Sequence, residues 1–333
     1  MPRCDAGQEV RLDEMEYPLI SIIVPVRNDA GNLERCVRSL KSIDYPTDRY
    51  EIIVVDAHST DGTPEVARKN GAIVILDDGK GRASALNLGV AQASGEYVAF
   101  TDADCSPERD WMKNLLKRFT LPDIAGVGGP NIVPKDESPF TRAIEYVAFQ
   151  SPYAEVFNSE GDVATLAGCN ALYRASVLAK IMPLPEIRDY EDAILNHRIT
   201  NAGFRLVSAP DAVVWHYRHY SDPTSFFRKM VLLGSGEVNG VRIERGLGKW
   251  AHKVAGFSIP LLMAISFVLF LLGNMLLVAF LLFLVIFLTS LTLKCLFETK
   301  SIRVAMYVPL VTVIEGLGYS VGYLRATISR RGV

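Results

Sequence analysis

The sequence of 333 residues is poor in cysteine and contains no C-x-x-C pair. Neither a disulfide framework nor a zinc site is indicated, and a reducing compartment is expected for Cys4, Cys36, Cys105, Cys169 and Cys295. The first 17 residues are charged and lack an apolar segment, which predicts no signal peptide and a cytoplasmic start. The formal net charge is only −2, so no global field favours nucleic acid as a partner.

Charged residues are missing altogether from residues 254–293. Forty uncharged residues exceed one bilayer span of about 20 residues, which argues against the buried core helix of a soluble protein. Gly273-Asn274 divides the stretch into two predicted spans, about 254–272 and 275–297. A third apolar stretch, 304–324, contains Glu315 and is interpreted as a span, with a re-entrant or interfacial helix as the alternatives.

The charge distribution predicts how these segments are oriented. Residues 217–253 and 294–333 each carry a net charge of +4, which leaves −10 for the first 216 residues. An acidic domain beside basic flanks is typical of a domain docked on an anionic bilayer face. The connection that contains Lys294, Lys300 and Arg303 is expected to be cytoplasmic. We therefore expect a multi-pass protein of the cell membrane with its first domain in the cytoplasm.

The first half of the sequence alternates short apolar runs with helical patterns. Strands are predicted at 19–25, 50–56, 72–76 and 96–102, and helices at 30–43, 62–69, 82–92 and, with Ser106 as cap and Pro107 at its first position, after residue 106. Further along, a helix is predicted at 191–201 and a pair of strands within 204–215. This order indicates an α/β fold with a mostly parallel, Rossmann-like sheet.

The predicted domain organisation follows from these patterns. Residues 1–17 form an N-terminal extension, and residues 18–230 form the α/β domain. A basic juxtamembrane segment at 231–253 leads to an all-α membrane region at 254–325, which is followed by a tail at 326–333.

Polar residues cluster where the predicted strands end, which is where such sheets bind ligands. Pro25, Arg27 and Asn28 follow the first strand, and Asp56 ends the second. The fourth strand ends in Asp102-Ala103-Asp104, whose two carboxylates can share one divalent cation, Mg²⁺ or Mn²⁺, beneath a diphosphate. An acid at the position of Asp56 can accept hydrogen bonds from a nucleobase or ribose.

Two helix starts add further polar groups. Arg82 follows Gly81 and can meet phosphate or ribose, and Asn87 lies in the same stretch. The small residues around them also suit close helix–sheet packing. Glu191 and Asp192 open the helix at 191–201, where the helix N-terminus favours the carboxylate that a base needs. Plain helix capping is the alternative interpretation of these two acids.

Five motifs in order carry a resemblance to a known family. They are V-P-V-R-N-D, V-V-D-x-x-S-T-D-G-T, A-L-N-x-G, D-A-D and E-D, spread over residues 18–230. In this order they resemble the family-2 glycosyltransferases, which have a GT-A fold and invert the anomeric centre. The downstream E-D-x-x-L-x-x-R-x-x-x-x-G-F-R and V-V-W-H patterns are also similar to that family.

The resemblance implies a role for each motif. Asp56 would bind the base, usually uracil, Asp102 the ribose or the metal, and Asp104 the metal. Asp192 would be the general base, and Glu191 would orient either Asp192 or the acceptor. His216 would touch the metal or the diphosphate, although a histidine that ends a strand is as often structural. The family's acceptor-side loop would correspond to Gly168, Cys169 and Asn170.

The sequence departs from the family pattern in two places. Ala57-His58 follows Asp56, where a second acid or glycine is common, which leaves the base specificity open. The Q-x-x-R-W motif of processive synthases is absent, which favours a single addition. Arg228 and Lys229, near its usual place, are instead assigned to a pyrophosphate or lipid head group.

These features predict transfer of one sugar from a nucleotide-sugar, with UDP-sugars favoured, to a lipid-linked or glycan acceptor. A polyprenyl-phosphate glycosyl synthase is the first alternative. A nucleotidyltransferase is the second, although the loop after the first strand is not rich in glycine. A membrane scaffold that has lost catalysis is the third, and the presence of Asp104 and Asp192 argues against it.

Overall fold

A computed structural model describes residues 17–148, 159–187, 189–217, 220, 222–244 and 275–329, with side chains from residue 281 onward in the last range. The predicted first span at 254–272 lies outside the described residues. So do residues 1–16, 245–253 and 330–333 of the predicted extension, juxtamembrane segment and tail.

The described chain folds into eleven strands and eleven helices. The strands are β1 Ile20–Val26, β2 Tyr50–Asp56, β3 Ile73–Leu76, β4 Tyr97–Thr101, β5 Cys105–Pro107, β6 Ile124–Gly128, β7 Asn131–Ile132, β8 Gly161–Val163, β9 Asn170–Arg174, β10 Arg205–Ser208 and β11 Val214–His216. The helices are α1 Ala30–Leu40, α2 Thr63–Lys69, α3 Arg82–Gln92, α4 Trp111–Leu116, α5 Pro139–Ala148, α6 Ala175–Ile181, α7 Glu191–Asn201, α8 Pro223–Ile243, α9 Met275–Thr299, α10 Ile302–Ala305 and α11 Val308–Ile328.

An eight-stranded sheet of order β3-β2-β1-β4-β9-β6-β10-β8 forms the centre of the domain. The first four strands in this order run parallel, as do β6 and β10, whereas β9 is antiparallel to both of its neighbours. The predicted α/β class with a mostly parallel sheet is therefore confirmed. Because β2, β1 and β4 are parallel neighbours, the residues that follow them lie along one edge.

Both faces of this sheet are covered because strand residues alternate between them. Ile22 and Val24 of β1 pack with the apolar side of α1. Ile23, between them, packs on the opposite face, where α3 and α7 lie. Helices α3 and α7 therefore share one face of the sheet, and their first residues reach the same edge.

The segment after Asp104 differs from the prediction. Ser106 caps no helix: residues Cys105–Pro107 form β5, which pairs antiparallel with β11. The helix begins later, at Trp111, with Asp110 at its N-cap. The two strands predicted within 204–215 do form, but β10 joins the large sheet whereas β11 joins β5 and β7 in a small one. These pairings link distant segments, which local patterns do not reveal.

Two described helical segments are long and apolar enough to cross a membrane, Leu281–Thr299 and Ile302–Ile328. They coincide with the predicted second span and the third apolar stretch. Large apolar side chains of α9 are exposed, including Phe283 at 64% and Ile286 at 63%, as expected of a surface that faces lipid or a partner. Helix α5 packs against α8, α9, α10 and α11 through an apolar cluster that includes Phe140 and Val308.

Helix α8 crosses residue 230, where a domain boundary was predicted, and packs along α11. Glycines permit the close approach: a Cβ on Gly318 would lie 2.7 Å from Cβ of Met230, and one on Gly234 or Gly322 would collide with the facing backbone. The Ser235 hydroxyl donates to the carbonyl oxygen of Gly322 at 3.0 Å. The helix that follows the α/β domain is thus joined to a potential membrane helix.

Candidate active site

The site forms where α3 and α7 begin. Arg82 is the first residue of α3 and Glu191 the first residue of α7, and both side chains are largely buried. The guanidinium donates from Nε and Nη2 to Oδ1 of Asp102, at 3.1 and 2.8 Å. It also donates from Nη1 to Oε1 of Glu191 at 2.7 Å, and from Nη2 to the carbonyl oxygen of Gly168 at 2.8 Å. One arginine thus joins three segments that are far apart in sequence.

Asp192 lies beside this network. Its carboxylate accepts from the backbone N–H groups of Ala193, at 2.7 Å, and Gly168, at 3.4 Å. Burial and the neighbouring charge of Glu191 raise the pKa of Asp192 to about 6, although Arg82 and the two backbone donors oppose the rise. A carboxylate with such a pKa is ionised at neutral pH and accepts a proton more readily than an ordinary aspartate.

The backbone just before these acids is strained. Tyr190, at the N-cap of α7, has a φ of +85°. This value lies in the left-handed region, which residues other than glycine rarely adopt. Such a conformation costs about 1–3 kcal/mol and is found mostly at functional sites. Asp189, one residue earlier, accepts from Nζ of Lys229 on α8 at 2.6 Å. The start of α7 is therefore held from both sides.

Carboxylates and an imidazole meet at the end of β4. Nε2 of His216 lies 3.2 Å from the Asp104 carboxylate. One ligand atom from each of Asp102, Asp104 and His216 lies within 4.8 Å of the other two. Two carboxylates and one imidazole fit a divalent cation, and oxygen donors with one nitrogen suit Mn²⁺. Asp102 receives both bonds from Arg82 on Oδ1.

Thiols lie on the other side of the same imidazole. Sγ of Cys169 is 3.9 Å from Nδ1 of His216 and accepts from Nδ2 of Asn131 at 3.3 Å. A hydrogen bond from the thiol of Cys105, together with His216, lowers the pKa of Cys169 to about 5, and burial opposes this shift. Both cysteines are buried and free of disulfide bonds.

Asp56 ends β2 in full burial. Its Oδ2 accepts from the backbone N–H of Ser59 at 2.9 Å, whereas Oδ1 is buried with no hydrogen-bond partner in the part of the chain that the structure describes. An unpaired buried carboxylate oxygen is costly, which points to a ligand donor. Asn28, with a φ of +52°, connects the adjacent loops by accepting from the N–H of Thr60 at 2.8 Å.

Four predicted ligand-binding side chains have protein partners. Arg82 donates to Asp102, Glu191 and Gly168, and Lys229 is paired with Asp189. Both ends of the Asn87 amide bind the backbone of Leu184, at 2.7 and 2.8 Å. Asn170 is fully buried: Nε1 of Trp111 donates to its oxygen, and its nitrogen donates to two carbonyl oxygens.

The remaining predicted positions divide by location. Pro25 lies within β1, paired with Val55 beside Asp56, and Arg27 is exposed just beyond the strand. Gly168 contacts both Arg82 and Asp192, and a Cβ there would lie 2.8 Å from Nη1 of Arg82. Arg228 is exposed on α8. Sequence patterns did not reveal Cys105 as a neighbour of the site, because it is ordinary in its local context, whereas Asp189 and Tyr190 directly precede the predicted pair Glu191 and Asp192.

Comparisons with known proteins identify the family. The model of "Glycosyl transferase family 2" matches residues 21–182. Glycosyltransferase AglE of Haloferax volcanii is 31% identical over 236 residues, which cover 68% of this chain and 76% of the relative. A Methanococcus voltae relative is 25% identical over 68% of this chain and 74% of its own length. Its name is dolichyl N-acetyl-alpha-D-glucosaminyl phosphate 3-beta-D-2,3-diacetamido-2,3-dideoxy-beta-D-glucuronosyltransferase.

A solved structure shows the same fold. Mannosyltransferase PcManGT from Pyrobaculum calidifontis, in complex with GDP-Man and Mn²⁺, covers 91% of this chain and 88% of its own, with a TM-score of 0.65 and 22% identity. The predicted GT-A fold is confirmed by this likeness and by the family match. The chain therefore belongs to glycosyltransferase family 2 and is a glycosyltransferase.

Proposed function

We propose that this enzyme transfers one sugar, with inversion, from a nucleotide-sugar to a lipid-linked or glycan acceptor at the cell membrane. The observation that carries the proposal is the Arg82 network. It brings Asp102 at the end of β4 and Glu191 at the start of α7 onto one guanidinium. The edge that would bind the donor and the helix that would supply the base are thus linked by one side chain.

The donor would lie along the edge that β2, β1 and β4 share. The free Oδ1 of Asp56 suits an N–H of the base. Asp102, Asp104 and His216 would hold a divalent cation, Mg²⁺ or Mn²⁺, which neutralises the charge of a departing diphosphate when bound. UDP-sugars are the donors that the family resemblance favours, although the neighbouring mannosyltransferase structure contains GDP-Man.

The acceptor would approach Asp192. This carboxylate takes the proton of the attacking hydroxyl as the new bond to the anomeric carbon forms and the bond to the diphosphate breaks. Attack opposite the leaving group inverts the anomeric centre. Glu191, which accepts from Arg82, would orient either Asp192 or the acceptor.

Membrane attachment suits a lipid-linked acceptor, because confinement to a surface raises the effective concentration of both partners. Two observations support attachment: the exposed apolar surface of α9 and the second potential span at Ile302–Ile328. The Methanococcus relative has a dolichyl-phosphate-linked sugar in its name. The positive-inside rule favours a cytoplasmic catalytic domain in a multi-pass protein.

The proposal is tested by incubating membranes that contain the enzyme with a panel of labelled nucleotide-sugars and extracting the lipids. We expect label in the lipid fraction, or in glycan, together with release of nucleoside diphosphate. Release of pyrophosphate would instead support nucleotidyl transfer. A product whose sugar is attached directly to polyprenyl phosphate would support the polyprenyl-phosphate synthase.

The pH dependence of transfer should show the titration of Asp192. Its pKa of about 6 means that the base is ionised above this pH and protonated below it. We therefore expect kcat/KM to fall about tenfold per pH unit below an apparent pKa near 6, as measured in steady-state assays from pH 5 to 8. An acid limb that persists unchanged in Asp192→Asn would assign it to another group.

Replacement of His216 by Ala should weaken cation binding without abolishing it, since Asp102 and Asp104 remain. Loss of a residue that only supports a metal ligand typically costs about 10–100-fold in affinity, and we take this range as the smallest effect to expect from loss of a ligand. The Mn²⁺ concentration that gives half-maximal activity should rise by at least this factor. The Mn²⁺ dissociation constant, measured by electron paramagnetic resonance, should rise in the same way. His197→Ala, on the exposed side of α7 beside Asn201, is the control and should leave both values unchanged. Equal values for the two variants would remove His216 from the cation site.

A further inference from the structure

The imidazole of His216 lies between two groups of potential metal ligands. Nε2 faces the Asp104 carboxylate at 3.2 Å, and Nδ1 faces Sγ of Cys169 at 3.9 Å. The second group consists of Cys105, Cys169 and His216, with one ligand atom from each within 4.8 Å of the others. All three residues are buried, with exposures of 0, 6 and 8%.

The second group has the chemistry of a site for a soft cation. Two thiolates and an imidazole are ligands that Zn²⁺ and similar ions prefer. In tetrahedral geometry, a sulfur at about 2.3 Å and a nitrogen at about 2.0 Å from zinc lie about 3.6 Å apart. The observed 3.9 Å between Cys169 and His216 is within a few tenths of an ångström of that spacing.

The surroundings support the same conclusion. Nδ2 of Asn131 donates to Sγ of Cys169 at 3.3 Å, as outer hydrogen bonds do to metal-bound sulfur. Cys105 follows Asp104 directly, and its Sγ lies 3.9 Å from that carboxylate. The two groups of ligands are therefore adjacent, and His216 belongs to both.

We propose that Cys105, Cys169 and His216 form a second metal site, which takes a thiophilic divalent cation such as Zn²⁺ or Cd²⁺ and opposes binding of the hard cation at Asp102 and Asp104. A neutral imidazole has only one nitrogen lone pair. A metal on Nδ1 leaves the proton on Nε2, which then donates to Asp104 and has no lone pair for the hard cation. The two ions thus compete through the tautomer of His216.

Spectroscopy tests the soft site independently of the sugar-transfer reaction. A triple variant, Cys4→Ser, Cys36→Ser, Cys295→Ser, keeps Cys105 and Cys169 as its cysteines and is called the pair-only variant. Titrated with Cd²⁺ under a reductant that is not a thiol, it should bind one ion with the ultraviolet charge-transfer absorption of cadmium thiolate, reversed by excess chelator. Further replacement of Cys105 or Cys169 by Ser should lower the absorption by half or more and weaken binding at least about tenfold.

Two results would overturn the site. One is a folded pair-only variant, with the circular dichroism and melting temperature of the parent, that gives no thiolate absorption. The other is full absorption after loss of Cys105 or Cys169. If the pair-only variant does not fold, the parent enzyme is compared with Cys105→Ser, and equal absorption in the two counts against the site.

The antagonism rests on the proposed function and is measured separately. The Mn²⁺ dissociation constant of the parent should rise about tenfold in the presence of one equivalent of Cd²⁺, within the usual range of coupling between sites. Cys169→Ser should abolish this rise. Thiolate-bound Cd²⁺ with unchanged Mn²⁺ binding would overturn the competition, whereas absence of Mn²⁺ binding in all variants would count against the proposed hard-cation site alone.

Discussion

Replacement of Asp192 by Asn is expected to lower kcat by about 10²–10⁴-fold, the usual contribution of a positioned general base. The asparagine side chain has nearly the same shape and keeps one oxygen, which can accept from the N–H of Ala193, whereas its NH₂ group replaces the oxygen that accepts from Gly168 at 3.4 Å. It has no basic oxygen to take the proton of an acceptor hydroxyl. The KM for the nucleotide-sugar should change little, because the proposed donor site is formed by other residues. Steady-state kinetics with purified enzyme measures both constants.

Stability separates loss of the base from loss of the fold. Burial and the charge of Glu191 disfavour the ionised Asp192, which favours a neutral asparagine, whereas loss of the long hydrogen bond from Gly168 opposes this gain. The melting temperature should therefore stay close to that of the parent. Asp162→Asn is the control, since that exposed carboxylate binds Arg205 at the surface, and it should leave kcat unchanged. If Asp192→Asn keeps more than a tenth of the parent's kcat, the base assignment is wrong. Such a result would favour an anionic acceptor such as a lipid phosphate, which needs no base.

Elements with a strong local pattern were predicted at their observed bounds. The strand Tyr50–Asp56 and the helices Arg82–Gln92 and Glu191–Asn201 match the predicted ranges residue for residue. Each has an apolar pattern of its own together with a clear start or stop, such as Gly81 before Arg82 and Gly203 after Asn201. Because parallel strands end at the same edge of a sheet, the location of Asp56 and Asp102 on one edge, on either side of β1, also followed from the pattern.

Features that depend on distant partners were not predictable in this way. Cys105–Pro107 forms a strand only because β11, more than 100 residues later, pairs with it. Asn170 was assigned to the acceptor by its motif, but Trp111 and two carbonyl groups surround it. The long-range partners of Arg82 likewise depend on where α3 and α7 start in space, which no local pattern encodes.

Replacement of Arg82 is expected to have a large effect on both the stability of the enzyme and the pH dependence of its activity. Arg82→Leu would leave Asp102 and Glu191 partly or fully buried without their cation, and breaking a buried ion pair in this way costs about 3–5 kcal/mol. The free energy of unfolding, or the melting temperature in detergent, should fall accordingly. Because the charge of Arg82 lowers the pKa of Asp192, the acid limb of any remaining activity should also move to higher pH.

Arg205→Leu is a matched control for this change, because Arg205 donates from Nε and Nη2 to a single Asp162 oxygen just as Arg82 does to Asp102. Arg205 and Asp162 are exposed, so the loss there should be within about 1 kcal/mol. Arg82→Lys keeps the positive charge but lacks the several N–H donors of the guanidinium. Its loss of stability should lie between those of Arg82→Leu and Arg205→Leu. Equal losses from Arg82→Leu and Arg205→Leu would mean that the buried network contributes no more than a surface pair. A large loss at Arg82 alone would show that the edge of the sheet and the start of α7 are held together by this one guanidinium.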